Sequence, residues 1–203
     1  PHAPEELIAT MGEEKFVQRL DSIFTVSEKT KFGGEEIDAF AGIKYLYNHG
    51  NQPNLHIAYL FNYSDHPWLT QKWVRKICDH FYGVDDIHGY GYGQDEDQGQ
   101  LGAWYVMSAI GLFDVNGLVE IDPTFQFGSP LFDRVTIKNG KGNTIEIETT
   151  NNAPDHYYIQ SIELDGKRYE SREIALERIM EGAELKFEMG PEPNKSLFKS
   201  GRD

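Results

Sequence analysis

Cysteine occurs once, at Cys78, in a chain of 203 residues. An intrachain disulfide and a cysteine-built zinc site are therefore excluded. A lone Cys in an apolar helical stripe reads as a small buried hydrophobe. Basic residues are also scarce: 19 Lys and Arg stand against 33 Asp and Glu, a formal net charge of -14. A surface of that sign repels phosphate backbones and anionic headgroups, so neither nucleic acid nor a membrane is an expected partner. A neutral sugar or a cation is compatible with it. No apolar run reaches the roughly 18 residues of a spanning helix, and no signal peptide is visible. The chain has no Gly-rich phosphate loop and no Gly-x-Ser-x-Gly elbow. Aromatics, by contrast, are abundant, with 11 Tyr, 12 Phe and 3 Trp, and hydrophobic residues make up 39% of the chain. That is enough for a folded core.

The chain changes character near residue 120. Before it, apolar residues recur every three or four positions. Phe16, Leu20 and Phe24 form one helical stripe; Ile37, Phe40, Ile43 and Tyr47 form a second, with Gly50 as its terminator. Pro67 opens a third helix, whose stripe is Trp73, Ile77 and Phe81 and whose end is Gly83. "QGQLGAWYVMSAIGLF" is apolar on nearly every face and predicts a fully buried helix. After "DPTFQFGSPLF" the period becomes two. "RVTIKNGKGNTIEIETT" predicts a hairpin that pairs Val135 and Ile137 with Ile145 and Ile147. Asp165-Gly166 predicts a tight turn in a second hairpin, and "AELKFEMG" one more strand. The tail from residue 191 reads as irregular. The expected fold class is α+β, helices first and then antiparallel strands.

Two stretches concentrate polar chemistry. In "GYGQDEDQGQ" the acids Asp95, Glu96 and Asp97 precede the apolar helix. Asp97 three residues before Gln100 is the spacing of a capping box. A carboxylate near a helix start is held ionised, which suits a base rather than an acid. Capping leaves Asp95 unexplained. In an extended lead-in, Asp95 and Asp97 would face the same side and repel unless a cation or a shared proton offsets them. An EF-hand does not fit, since Gly99, Gln100 and Val106 occupy its fifth, sixth and twelfth positions. Tyr90 and Tyr92, on the Gly-rich lead-in, would form either a wall for a sugar or interface packing. In "HGNQPNLHIAYLFNY", Asn51 and Gln52 offer amide oxygens of the kind a hard cation takes; an ordinary turn at Gly50, Asn51 and Pro53 explains them equally. His49 and His56, seven apart, lack the spacing of a helical zinc pair.

Taken together and in this order, "HGNQPNLHIAYLFNYSDHPWLTQKWVR", "GYGQDEDQGQLGAWYVMSAIGLF" and "DPTFQFGSPLFDRVTI" resemble glycoside hydrolase family 92, the calcium-dependent exo-α-mannosidases. "YYIQSIELDGKRY" and "ELKFEMGPEPN" resemble the C-terminal end of the same family. The resemblance implies that residues 1–118 are the last helices of an incomplete (α/α)6 catalytic toroid and residues 119–203 an antiparallel β-rich segment. It implies inverting hydrolysis of terminal α-linked mannose, α-1,2 the expected linkage, on mannose-containing glycans. Asp95 and Asp97 carry over as the base that activates water, and Asn51 and Gln52 as calcium ligands. His56, Tyr90 and Tyr92 are the substrate contacts. Gln94 interrupts the direct Gly-to-Asp junction of many members. The family's general acid is a glutamate from an earlier segment that nothing here matches, Glu35 and Glu36 included. The chain, which opens "PHAPEEL" without Met, is thus expected to be part of a longer enzyme, inactive without its N-terminal remainder. A secreted or periplasmic setting follows from the resemblance alone. The alternatives are a noncatalytic carbohydrate- or calcium-binding piece and a structural module.

Overall fold

The structure, a computed structural model, describes residues 3–34, 46–83 and 98–198. Its first half is helical. Helices α1 (Pro4–Met11) and α2 (Glu13–Glu28) are separated by Gly12, which at a φ of 80° ends one and begins the other; this conformation suits a residue without a Cβ. Along α2 the four-residue spacing predicted from sequence buries Phe16, Leu20 and Phe24, with Val17 beside them. Helix α3 (Pro67–His80) has Pro in its first turn and buries Trp73, Val74, Ile77 and Cys78. The ring of Phe24 stacks on that of Trp73 at 5.4 Å, so the two stripes meet. Cys78 is free and buried, and burial pushes its thiol pKa up: it is an inert packing group. Of the second expected stripe, Ile37, Phe40 and Ile43 lie outside the described residues. Tyr47 is buried but not helical.

Helix α4 (Gln100–Ala109) corrects one expectation. It buries Leu101, Trp104, Ser108 and Ala109, yet Gly102 and Ala103 are exposed and Val106 is 58% exposed. A helix apolar all round carries no stripe, so its sequence does not say which side faces inward. Here Leu101, Trp104 and Ser108 turn in, while Gly102, Ala103 and Val106 turn out.

Eight strands follow: β1 (Leu112–Phe113), β2 (Thr124–Phe127), β3 (Arg134–Lys138), β4 (Thr144–Thr150), β5 (Tyr158–Leu164), β6 (Lys167–Arg168), β7 (Glu173–Ala175) and β8 (Ala183–Gly190), with a short helix α5 (Leu176–Met180) before β8. β3 and β4 pair as expected, Val135 with Ile147 and Ile137 with Ile145. Asp165 and Gly166 join β5 to β6 with φ of 48° and 73°. A two-residue turn with both central residues at positive φ matches the twist of the strands it joins. The large sheet runs β3-β4-β8-β5-β6, and β1-β2-β7 form a second, small one. The expectation of purely antiparallel pairing is corrected. β8 lies between β4 and β5, antiparallel to β5 but parallel to β4. Its alternation, with Ala183, Leu185, Phe187 and Met189 buried, is the same whichever way its neighbours run.

Two apolar clusters result. One gathers residues from Ile8 to Val115, the other from Ile110 to Leu197. Buried polar groups join them. Gln71 Oε1 on α3 accepts from the Ile159 N–H of β5 at 3.0 Å, and Asn62 Nδ2 donates to the Phe127 carbonyl of β2 at 2.9 Å. Arg75, only 4% exposed, donates to Ser129 Oγ, the Pro130 carbonyl and Asn152 Oδ1. A guanidinium buried with several acceptors contributes roughly 1.5–3 kcal/mol per bond, so α3 serves as the rigid element to which the sheets are fixed. No helix among the described residues is long and apolar enough to cross a membrane.

Candidate active site

The segment from Asn48 to Tyr63 is a succession of tight turns. The Asn48 side chain accepts from the Gly50 N–H at 2.9 Å, its carbonyl accepts from Asn54 Nδ2 at 3.0 Å, and the Asn51 carbonyl accepts from the Asn54 N–H at 2.8 Å. Two 3-10 turns, Gln52–Asn54 and Ile57–Tyr63, complete it. Asn and Pro at these positions supply the turn chemistry. This wall is tied to α4 by Trp104, whose indole N–H donates to the Leu55 carbonyl at 2.9 Å.

Between the wall and α4 opens a cavity of about 510 Å³, within the range of small-molecule sites. Gln52 and His56 line one side, Gln100, Trp104 and Met107 of α4 the other, and Phe113 and Asp114 the end. Polar amides, an imidazole and a carboxylate thus converge on a cavity with apolar faces, which suits a ligand that has both hydroxyls and C–H surfaces. Partial burial lowers the pKa of His56 from its ordinary value, so it meets a ligand at neutral pH as uncharged imidazole. The Asp114 carboxylate accepts from the backbone N–H groups of Asn116 and Leu118, which fixes its direction.

Of the residues singled out in the sequence, Gln52 and His56 come together on this cavity. Asn51, next to Gln52, is exposed and is not part of the lining. Asp95, Asp97, Tyr90 and Tyr92 lie outside the described residues, as does Glu96. Helix α4 begins at Gln100 with Gly99, at a φ of 75°, in the capping position and no side-chain cap. The expected Asp97–Gln100 capping box involves Asp97 and so lies outside the described residues. Sequence reasoning passed over Gln100 as a cavity residue, having spent it on that box. Trp104 and Met107 carried no signal beyond their place in an apolar run, and Asp114 was a lone acid just past its end.

For calcium, the donor types fit and the number is partial. A hard cation takes six to eight oxygens. Gln52, Gln100 and Asp114 bring two amides and one carboxylate to a common cavity. Among the described residues, no three His, Cys, Asp or Glu side chains cluster as a metal site would require.

The sequence model of the glycosyl hydrolase family 92 catalytic domain matches residues 1–191. The chain belongs to that family. Among solved structures it is similar to the family GH92 α-mannosidase BT3965 from Bacteroides thetaiotaomicron, at 32% identity and a TM-score of 0.80, over 96% of this chain and 24% of that one. The same protein in complex with mannoimidazole matches at 31% identity and 0.81, over 97% and 25%. The family GH92 inverting mannosidase BT2199 from B. thetaiotaomicron VPI-5482 matches at 34% and 0.78, over 97% and 27%. The chain thus spans about a quarter of the length of these structures. No curated protein matches it.

Proposed function

We propose that this chain forms one side of the active site of an inverting exo-α-mannosidase that removes terminal mannose, α-1,2-linked by preference, from glycans. The observation that supports this reading most is the convergence of Gln52 and His56 with α4 on one cavity, in a chain that belongs to family 92. Inversion requires a base to activate water on one face of the sugar and an acid to protonate the leaving oxygen on the other. Asp95 and Asp97, which directly precede α4 in sequence, take the role of the base. Gln52 and His56 hold and orient the sugar hydroxyls, and Tyr90 and Tyr92 flank the ring. Asn51 and Gln52 would hold calcium through their amide oxygens, and the ion would supply a positive charge to the site. The acid is a glutamate beyond these 203 residues. Residues 1–118 belong to a helical toroid and residues 119–203 to its closing β segment. The setting is secreted or periplasmic.

The test is hydrolysis of α-1,2-mannobiose followed by NMR, by this chain alone and joined to the remaining three-quarters of a family 92 enzyme. The joined protein is expected to release β-mannose first and to lose activity on calcium chelation. The chain alone is expected to release none. Initial release of α-mannose, or turnover by the chain alone, would sink the proposal.

A further inference from the structure

Behind the cavity wall lies a line of hydrogen bonds that the proposed chemistry does not use. His49 is fully buried. Its Nδ1 is 2.8 Å from the Tyr47 hydroxyl, and its Nε2 is 2.8 Å from the Tyr82 hydroxyl. Tyr82 in turn donates to the carbonyl of Leu101, in the first turn of α4, at 2.8 Å. A phenol has one proton. Tyr82 gives its proton to Leu101, so towards His49 its oxygen accepts. Nε2 therefore carries the imidazole proton, and Nδ1 presents the lone pair that receives the proton of Tyr47. One backbone carbonyl sets the direction of all three bonds and the tautomer of the ring.

The surroundings hold the ring in place. The His49 backbone N–H donates to the Phe32 carbonyl at 2.9 Å. The imidazole meets Trp104 edge-on at 4.2 Å and Phe81 at 4.8 Å between centroids.

We propose that His49 is a positioning residue: as the Nε2–H tautomer it fastens, through Tyr82, the wall bearing Gln52 and His56 to the first turn of α4 bearing Gln100, and so sets the width of the cavity between them. A core imidazole that only filled space would have no preferred tautomer and no effect on that spacing. His49 touches neither substrate nor metal in this scheme; it acts through the two elements that do. What the spacing does for catalysis rests on the mannosidase reading, but the tautomer and the fastening do not.

The experiment is NMR on the histidine- and tryptophan-labelled chain. Imidazole nitrogen shifts are expected to report Nε2–H for His49. The indole N–H of Trp104, bonded to Leu55 across the same gap, serves as the gauge of spacing. Its hydrogen exchange is expected to quicken at least about tenfold in Tyr82→Phe and His49→Phe, the equivalent of one lost buried bond. His49→Gln places an amide donor near the Nε2 position, and its exchange is expected to return to within about threefold of wild type on the same scale. Tyr82→Phe is nearly isosteric at a half-buried site and keeps the fold. An Nδ1–H tautomer, unchanged Trp104 exchange in Tyr82→Phe, or a Gln variant no better than Phe would each overturn the proposal. In the joined mannosidase, the same variants are expected to raise KM about tenfold with the shape of the pH–rate profile unchanged. If no mannosidase activity is found at all, the functional reading falls while the NMR result still decides this one.

Discussion

Replacing Asp97 with Asn in the joined enzyme is expected to lower kcat on α-mannosides by about a thousandfold, with KM little changed. General-base catalysis contributes on the order of 10²–10⁴ in rate. The amide keeps the shape and the hydrogen-bonding reach of the carboxylate but cannot take a proton from water. The Asp95→Asn variant is expected to lose activity on the same scale. Steady-state kinetics across pH 4 to pH 8 measure both effects. Losses under tenfold in both variants would mean that these acids do not serve as the base.

The second large effect concerns stability and comes from His49. Its pKa is about 3 in the folded chain against an ordinary 6.5, because burial disfavours the charged ring. The titratable groups that face it are the phenols of Tyr47 and Tyr82, which remain neutral in acid. Between pH 6.5 and about 3 the unfolded chain binds a proton at this position and the folded chain does not. Stability is therefore complete above pH 6.5 and falls as the pH drops through this window, by about 1.4 kcal/mol per unit. At pH 4.5 the loss is on the order of 3 kcal/mol. Carboxylates titrate over the same range in wild type and in His49→Gln alike, so the difference between the two isolates the imidazole. Urea unfolding at stepped pH is expected to show that difference changing steadily below pH 6.5. Parallel curves would mean that His49 reaches solvent and protonates in the folded state.

What was legible in the sequence follows physical rules that act locally. The four-residue stripe of Phe16, Leu20 and Phe24, the alternation across Val135, Ile137, Ile145 and Ile147, and the Asp165-Gly166 turn each depend on neighbours within one element or one hairpin. The parallel pairing of β8 with β4 does not, since alternation encodes which face is buried and not the direction of the strand alongside. Strands of two to four residues, such as β1, β2 and β7, are too short to display a period. The inward face of α4 was hidden because Leu101, Gly102, Ala103 and Val106 differ in size rather than polarity. At the candidate site, polar residue types drew attention to Gln52 and His56. Gln100, Trp104 and Asp114 became site residues only when folding placed them across the gap. The role of His49 was likewise invisible, because it depends on Tyr82, 33 residues away.

The most direct test of the central claim is the affinity of mannoimidazole, the ligand bound to BT3965, for the joined enzyme and two cavity variants, measured by calorimetry. Gln52→Ala removes an amide from one side of the cavity, and Ala103→Phe fills its mouth from the exposed face of α4. Each is expected to weaken binding at least about tenfold, the equivalent of about 1.4 kcal/mol, with melting temperature unchanged. Undiminished affinity in both would place the sugar elsewhere and contradict the account.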